Sequence, residues 1–223
     1  MSKNDLKKYW IIGDIHGCIF TLEKLIDKLP KGSNPIFVGD LVDRGNYSKE
    51  VIEFVIENNY QSVFGNHEYL MFNYARDAMI RNIQSMWSMS NKSYGGLKTL
   101  HSYANSENTL LKHIEFIEKL PKYLEIDNYF ITHGFGLPYY KRRDTFSKDL
   151  YTNRLEDISL DWESSWKDYK VINVFGHTHY KDVKFGKNYI GIDTGAVFGN
   201  KLSAVNLKTK EIISQKTIKK DTK

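Results

Sequence analysis

Residues 13–17 read Gly13-Asp14-Ile15-His16-Gly17, and they directly follow a short apolar run that ends at Ile12. An apolar run that stops at glycine and polar residues is typical of a buried strand that turns onto the protein surface. The arrangement recurs in four later segments: Gly39-Asp40-Leu41-Val42-Asp43-Arg44-Gly45, Gly65-Asn66-His67-Glu68, Thr132-His133-Gly134 and Gly176-His177-Thr178-His179. We therefore expect five polar segments at strand ends, where their side chains can meet.

Strand and helix patterns alternate over the first part of the chain. Strands are predicted at residues 8–12, 35–38 and 61–64, and helices at 21–29 and 48–57. Ser48 stands at the start of the second helix, where a serine side chain can cap the first turn. Strands separated by helices pair in parallel through right-handed crossovers, so this order predicts an α/β fold.

The rest of the chain predicts a helical insertion followed by strands. Residues 68 to about 120, which we call the cap, have a helical pattern and are expected to be inserted between strands. Another strand is predicted at 127–132, and residues 141–170 lack a regular pattern. Runs of β character separated by polar turns then favour antiparallel strands at 171–175, 181–185, 189–193, 201–206 and 211–215. Without a linker or repeat, residues 1–223 are expected to form one domain.

Charge and composition limit the partners of the chain. Its 223 residues carry a net charge of +5 and include one cysteine, Cys18. The excess charge lies at the ends, with +2 over residues 1–8 and +3 over residues 216–223, so the body is neutral. Basic ends are usually solvated, and we expect neither a nucleic-acid nor a membrane partner. The lone cysteine and the polar start predict a cytoplasmic protein, which we expect to be a monomer.

The aspartate, asparagine and histidine side chains of the five segments suit two divalent metal ions. Asp14 and His16 alternate along a strand end and so point to the same side, where both can bind one ion. Asp40 directly follows another strand, and its carboxylate can bridge two ions. Each segment alone also has a structural explanation, such as a helix cap by Asn66 or a packed histidine at His133. The occurrence of all five favours a metal site that cleaves phosphoesters.

Two residues suit phosphate chemistry rather than metal binding. His67 has a side chain whose charge changes near neutral pH, which suits a general acid beside two metals. Arg44 has a guanidinium that can bind phosphate through two parallel hydrogen bonds. The alternative is an ion pair between Asp43 and Arg44 in a surface turn, with His67 in a structural role.

The order and spacing of the segments resemble those of the phosphoprotein phosphatase family of calcineurin-like metallophosphoesterases. The matching motifs are GDIHG, GDLVDRG, GNHE, THG and GHTH, followed by Ile192-Asp193-Thr194-Gly195. The compact phage and bacterial branch is especially similar, and the family includes serine/threonine protein phosphatases and symmetrical diadenosine tetraphosphatases. The resemblance, from residue 9 to about residue 207, implies an α/β metallophosphoesterase fold in which two mixed sheets form a central β-sandwich between helices.

The resemblance also implies the metal ligands. The first ion would be held by Asp14, His16 and Asp40. The second would be held by Asp40, which is shared, and by Asn66, His133 and His177. Manganese is the expected metal, with iron, zinc or nickel as alternatives, because oxygen and nitrogen ligands accept several ions. His179 is left outside this ligand set.

The catalytic roles follow from the same resemblance. His67 would protonate the leaving oxygen and be oriented by Asp43, while Arg44 would bind the phosphate. A second phosphate-binding arginine is expected before the GHTH segment, with Arg154 as the best match and Arg142 and Arg143 as alternatives. The implied reaction is direct in-line attack on phosphorus by a hydroxide that bridges the metals.

The cap, rather than the five segments, is expected to select the substrate. A short cap leaves an open site and favours phosphoserine or phosphothreonine proteins. The alternative substrate is diadenosine tetraphosphate or a related nucleotide. An alternative of another class is a non-catalytic module that binds metal or phosphate. The eukaryotic branch has a tyrosine-bearing loop where this chain has residues 193–198, so a tyrosine contact to phosphate is not expected.

Overall fold

The computed structural model describes residues 5–141, 147–158, 166 and 168–223. The strands, in chain order, are β1 (Tyr9–Ile12), β2 (Asn34–Phe37), β3 (Gln61–Ser62), β4 (Tyr123–Ile126), β5 (Tyr129–Thr132), β6 (Ile172–Phe175), β7 (Lys184–Phe185), β8 (Tyr189–Gly191), β9 (Lys201–Asn206) and β10 (Ile212–Lys216). The helices are α1 (Ile19–Ile26), α2 (Ser48–Glu57), α3 (Asn66–Ile80), α4 (Met86–Met89), α5 (Gly96–Ser102), α6 (Glu107–Glu118) and α7 (Asp149–Thr152). Among the described residues, no helix has the length and apolar character needed to cross a membrane.

The strands form two mixed sheets, which confirms the predicted fold class. The first sheet has the order β10-β9-β1-β2-β3, and the second has the order β4-β5-β6-β8-β7. In the first sheet β1, β2 and β3 are parallel, whereas β9 is antiparallel to β1 and to β10. The βαβ pattern of the first 64 residues therefore forms the parallel half of this sheet, as expected.

Alternation along the strands places apolar side chains on both faces of the first sheet. Ile11 points into the core between the two sheets, where it joins Ile131 and Val174 of the second sheet. Trp10 and Ile12 point the other way and pack under the outer helices. Each fully buried side chain of this kind contributes roughly 1.5–3 kcal/mol through its removal from water. The apolar outer face of the first sheet thus packs against a layer of helices on one side of the sandwich.

Two features of the second sheet differ from the sequence prediction. Strand β6 was expected to have antiparallel neighbours, but it is parallel to β5 and to β8. Strand β4 was not predicted, and it pairs antiparallel with β5 through a tight turn at Asp127, whose φ is +54°. The first error concerns pairing, because short runs of β character do not specify their partners, and the second is a strand that the sequence pattern did not reveal.

The start of α2 also corrects a prediction. Ser48 was expected to cap the helix, but Tyr47 precedes the first turn and makes no side-chain cap. The Ser48 hydroxyl instead accepts a hydrogen bond from the backbone N–H of Asp43 at 3.0 Å. Ser48 therefore ties this helix to the second polar segment.

The end of the chain is docked, whereas a solvated tail was expected. The side chain of Asp221 is buried and accepts hydrogen bonds from the backbone N–H groups of Phe20 and Thr21, at 3.0 and 2.9 Å. These N–H groups lie in the first turn of α1, where donors lack partners within the helix and a negative charge is favoured. Asp221 therefore caps α1 from the far end of the sequence.

Helices α3–α6 lie between β3 and β4, in the interval predicted as the cap. Helix α3 packs on α6, and α4 packs on α5. Leu110, Ile114 and Ile117 of α6 are buried in the same core as the inner side chains of α1 and α2. The single-domain organisation and the role of the cap stay predictions.

Candidate metal centre and active site

All five polar segments lie beyond the carboxyl ends of strands and meet at one edge of the sandwich. Asp14 and His16 follow β1, Asp40 follows β2, and the first turn of α3 follows β3. The two remaining histidines follow β5 and β6 of the second sheet: they are His133 and His177. The site therefore lies between the two sheets, with side chains from both.

The backbone of this site is strained in a way that only a well-supported fold tolerates. Five of its non-glycine residues have a left-handed backbone with φ between +48° and +72°: His16, Asp40, Asp43, Arg44 and His177. Such conformations cost L-residues roughly 1–2 kcal/mol each. Strain of this kind is typical of functional sites, where the turn aims a side chain inwards.

Asp40 occupies the centre of the cluster. Its Oδ2 lies 3.4 Å from His16 Nε2, and its Oδ1 lies 3.2 Å from His133 Nε2. Two groups of side chains have ligand atoms within 4.8 Å of one another, and both contain Asp40: His16, Asp40 and His67, and Asp40, His133 and His177. The carboxylate of Asp40 therefore lies where two ion sites would share it.

Asn66 and Asp14 complete the set. Asn66 Oδ1 lies 3.0 Å from His133 Nε2. The Asp14 carboxylate accepts hydrogen bonds from the backbone N–H of His177 at 3.1 and 3.3 Å. A Cβ at Gly176 would overlap the Asp14 carboxylate, so only glycine permits this approach. The structure thus brings together all six residues proposed as metal ligands.

Hydrogen bonds to the backbone set the tautomers of two histidines. The Nδ1 atoms of His16 and His133 each lie 2.8 Å from a carbonyl oxygen, of Val42 and Val38 respectively. Because a carbonyl only accepts, each Nδ1 carries a hydrogen, and in the neutral ring the Nε2 lone pair therefore faces the cluster. This orientation by an outer hydrogen bond is usual for metal-binding histidines.

The electrostatics of the cluster also fit a cation. Burial and the neighbouring Asp193 carboxylate raise the pKa of Asp14 well above its ordinary value. Burial alone would raise the pKa of Asp40, but His133 and His67 hold it well below its usual range. Burial lowers the pKa of His133, but Asp40 and Asp14 outweigh it and raise that pKa to about 10. A divalent ion could replace the proton that these buried carboxylates hold on His133. The oxygen and nitrogen atoms of the cluster are ligands suited to such an ion.

His67 is held by Asp43 beside the metal ligands. Its Nδ1 lies 2.7 Å from Asp43 Oδ2, and its Nε2 lies 4.0 Å from Asp40 Oδ2. The fully buried Asp43 also accepts hydrogen bonds from Trp87 Nε1 at 2.7 Å and from the Thr99 hydroxyl at 2.6 Å. The carboxylate is therefore fixed, and it directs the second nitrogen of His67 towards the cluster.

The two arginines contact different segments of the cluster. Arg44 Nη1 lies 2.6 Å from His16 Nε2. Arg154 Nη1 donates hydrogen bonds to the carbonyl of His177 at 3.1 Å and to the hydroxyl of Thr178 at 3.2 Å. The alternative candidates, Arg142 and Arg143, lie outside the described residues. His179 is exposed and packs against Phe198.

Three supporting residues were missed by the sequence analysis. Glu68 is fully buried and accepts hydrogen bonds at 2.8 Å from the backbone N–H groups of Asp40, Leu41 and Gly65, which holds two of the segments together. Burial and the Asp40 charge raise the pKa of Glu68 to about 7. The other two are Trp87 and Thr99, which bind Asp43 from the cap. Glu68 follows His67 in its motif and could have been suspected, whereas nothing local in the sequence marks Trp87 or Thr99.

The fold and site define the class of protein. Residues 7–193 match the family described as calcineurin-like phosphoesterase, so the chain belongs to that family. It is therefore a metallophosphoesterase of the phosphoprotein phosphatase group, a hydrolase of phosphoester bonds rather than a non-catalytic module. Such enzymes use divalent metals, and the clusters around Asp40 are able to hold them.

Individual relatives are similar along nearly the whole chain. The bis(5'-nucleosyl)-tetraphosphatase PrpE [asymmetrical] of Oceanobacillus iheyensis is 31% identical, over 92% of this chain and 90% of its own. A crystal structure provisionally identified as a diadenosine tetraphosphatase has a TM-score of 0.71 and 23% identity, over 94% of this chain and 93% of its own. A serine/threonine phosphatase from Saccharomyces cerevisiae has a TM-score of 0.65 and 18% identity, over 96% of this chain and 81% of its own. The two structures show likeness of fold alone.

Metal binding is expected to stabilise the protein. An ion that binds only the folded state at 100 times its Kd should raise the Tm of a chain of this size by about 5–10 °C. The measurement is thermal unfolding of chelator-treated protein with and without Mn²⁺. Asp182→Asn, which changes an exposed carboxylate outside the site, should show the same rise. A Tm that Mn²⁺ leaves unchanged would contradict the assignment of a metal centre.

Proposed function

We propose that the protein hydrolyses dinucleoside tetraphosphates at a binuclear metal site. The observation that carries the substrate class is the 31% identity, along 92% of the chain, to a protein named as an asymmetrical bis(5'-nucleosyl)-tetraphosphatase. This replaces the main expectation from the sequence, which was a serine/threonine protein phosphatase. The support for a protein phosphatase is a similarity of fold to the Saccharomyces cerevisiae serine/threonine phosphatase, at 18% identity.

The proposed ligands of the first ion are Asp14, His16 and Asp40, and those of the second are Asp40, Asn66, His133 and His177. Distance alone groups His67, rather than Asp14, with His16 and Asp40. We prefer Asp14 for two reasons. His67 is already oriented by Asp43 as a proton donor, and Asp14 is a buried carboxylate repelled by Asp193. Manganese is the proposed metal, with iron, zinc or nickel as alternatives.

The residues around the ions would each act on a different part of the reaction. Divalent ions held here would supply Lewis acidity and lower the pKa of a bound water. Arg44 would bind the phosphoryl oxygens and offset their charge as the bond to the leaving group breaks. His67 would give its Nε2 proton to the leaving oxygen, while Asp43 holds the Nδ1 hydrogen and stabilises the imidazolium before transfer. Arg154, anchored on the carbonyl of His177, would be the second arginine near the phosphate.

The products distinguish this proposal from symmetrical cleavage. Hydrolysis of diadenosine tetraphosphate is expected to release ATP and AMP in equal amounts, because attack falls on a phosphorus next to one end of the bridge. Chromatography of the products measures this directly. In ¹⁸O-labelled water the label should appear in one product alone, which identifies the attacked phosphorus.

A chelated sample is the blank for this assay. ADP as the main product would contradict asymmetrical cleavage while leaving the metal site intact. No hydrolysis of the dinucleotide by metal-loaded protein that hydrolyses p-nitrophenyl phosphate would reject the proposed substrate.

A further inference from the structure

A basic pocket opens beside Arg44, at the rim of the proposed active site. Its volume is about 470 Å³. Three cationic side chains line it, those of Arg44, Lys92 and Lys98, together with Phe198 and Thr222. The described residues that line it include no carboxylate side chain. The pocket therefore has the charge to attract an anion, and Arg44 joins it to the metal ligands.

The loop that carries Lys92 is fixed to Arg44. The backbone N–H of Arg44 donates to the carbonyl of Gly95 at 3.3 Å, and Arg44 Nε donates to the carbonyl of Ser93 at 3.4 Å. Gly95 has φ of +82°, and a Cβ there would overlap the backbone of Arg44. The close contact holds the loop in place, so the exposed Lys92, next to Ser93, stays at the edge of the site.

The position of Lys98 relative to Asp43 and His67 is fixed through the next residue, Thr99. Thr99, the next residue of α5, donates to Asp43, which holds His67. The Lys98 ammonium donates to the carbonyl of Thr222 at 3.1 Å. A carbonyl does not neutralise an ammonium, so the positive charge of Lys98 remains available to a ligand.

Phe198 supplies a flat apolar surface next to these charges. Its side chain is 60% exposed. The guanidinium carbon of Arg44 lies 5.5 Å from the ring centroid, and the ring of His179 lies 5.1 Å away. An exposed aromatic ring beside cations is typical of sites where a base stacks while its phosphates are bound.

We propose that this pocket binds the part of the dinucleotide that leaves: Lys92 and Lys98 contact its phosphates, and its base stacks on Phe198. The inference rests on the proposed function. With the reacting phosphate at Arg44, the remaining phosphates carry several negative charges that need partners nearby. A phosphomonoester with a small leaving group would reach Arg44 but not the rest of the pocket. The pocket would therefore select nucleoside polyphosphates over simple phosphate esters.

The test compares two substrates in the same variants. For Lys92→Ala, Lys98→Met and Phe198→Ala, we expect the ratio of kcat/KM on diadenosine tetraphosphate to that on p-nitrophenyl phosphate to fall at least about tenfold. Lys31→Ala, which changes an exposed lysine that does not line the pocket, is the matched control and should keep the ratio. Lys92 is itself exposed, so Lys92→Ala tests the pocket without the risk of misfolding.

The outcomes separate the pocket from the proposed function. Wild-type protein that hydrolyses p-nitrophenyl phosphate but not the dinucleotide rejects the function. Wild-type protein that hydrolyses both, with an unchanged ratio in Lys92→Ala and Phe198→Ala, rejects the pocket alone. A second measurement is the dependence of KM for the dinucleotide on ionic strength, since salt screens exposed charges. That dependence should be weaker in the Lys92→Ala, Lys98→Met double variant, and an equal dependence would contradict phosphate contacts by the lysines.

Discussion

Replacing His67 with asparagine is expected to lower kcat by about 10²–10⁴-fold while the protein keeps its metals. An asparagine side chain can occupy the space of His67 but cannot donate a proton to the leaving oxygen near neutral pH. The carboxylate that orients the ring, Asp43, lies 2.7 Å from Nδ1 and is held by two further donors. The variant should therefore lose proton transfer without losing the arrangement around Asp40.

The leaving group gives this prediction a second readout. A general acid matters most when the leaving oxygen is basic, so the loss in His67→Asn should be larger for an alkyl phosphate than for p-nitrophenyl phosphate. Steady-state kinetics on both substrates, with metal content measured on the same samples, tests this. His101→Asn changes an exposed histidine of α5 and is the control. Unchanged turnover at full metal occupancy would remove His67 from the role of acid.

Replacing Asp40 with asparagine is expected to be more damaging. Asp40 is the one side chain common to both groups of ligand atoms, and it lies 3.4 Å from His16 and 3.2 Å from His133. A neutral amide at this position removes the charge that both ions would share. Because bound ions supply several kcal/mol of transition-state stabilisation, we expect kcat/KM to fall by more than about 10³-fold.

Two measurements separate loss of metal from loss of fold in Asp40→Asn. The metal content per chain, measured by elemental analysis, should fall below that of wild type, and the rise of Tm with Mn²⁺ should disappear. Circular dichroism at low temperature should still show the native secondary structure. Asp182→Asn is the isosteric control and should match wild type in all three. An Asp40→Asn protein with two ions and wild-type kinetics would exclude a bridging role.

The sequence predicts those elements of the fold whose pattern is local. Helix α2 and strand β9 have the predicted bounds, because Val51, Ile52 and Val55 mark one helix face and the run 201–206 is bounded by turns. The pairing of β6 is not local, since its partner β5 precedes it by some forty residues and its other partner β8 follows a loop. The docking of Asp221 on α1 is likewise invisible to local patterns, because it joins the two ends of the chain.

The candidate site divides in the same way. The proposed ligands are predictable because each lies within four residues of the end of a strand, and these strand ends meet at one edge of the sandwich. The donors that fix Asp43 come from the cap, through Trp87 and Thr99, and only tertiary packing brings them there. The basic pocket depends on the cap as well, since Lys92 and Lys98 precede β4 in sequence yet meet Phe198 near the other end of the chain.

The most direct test of the proposed function is kcat/KM of the Mn²⁺-loaded wild-type protein on diadenosine tetraphosphate and on a phosphoserine peptide, measured at the same pH and ionic strength. A metal-dependent dinucleoside tetraphosphatase should prefer the dinucleotide by about 100-fold or more. A preference of similar size for the phosphopeptide would contradict the account and restore a protein phosphatase as the better description.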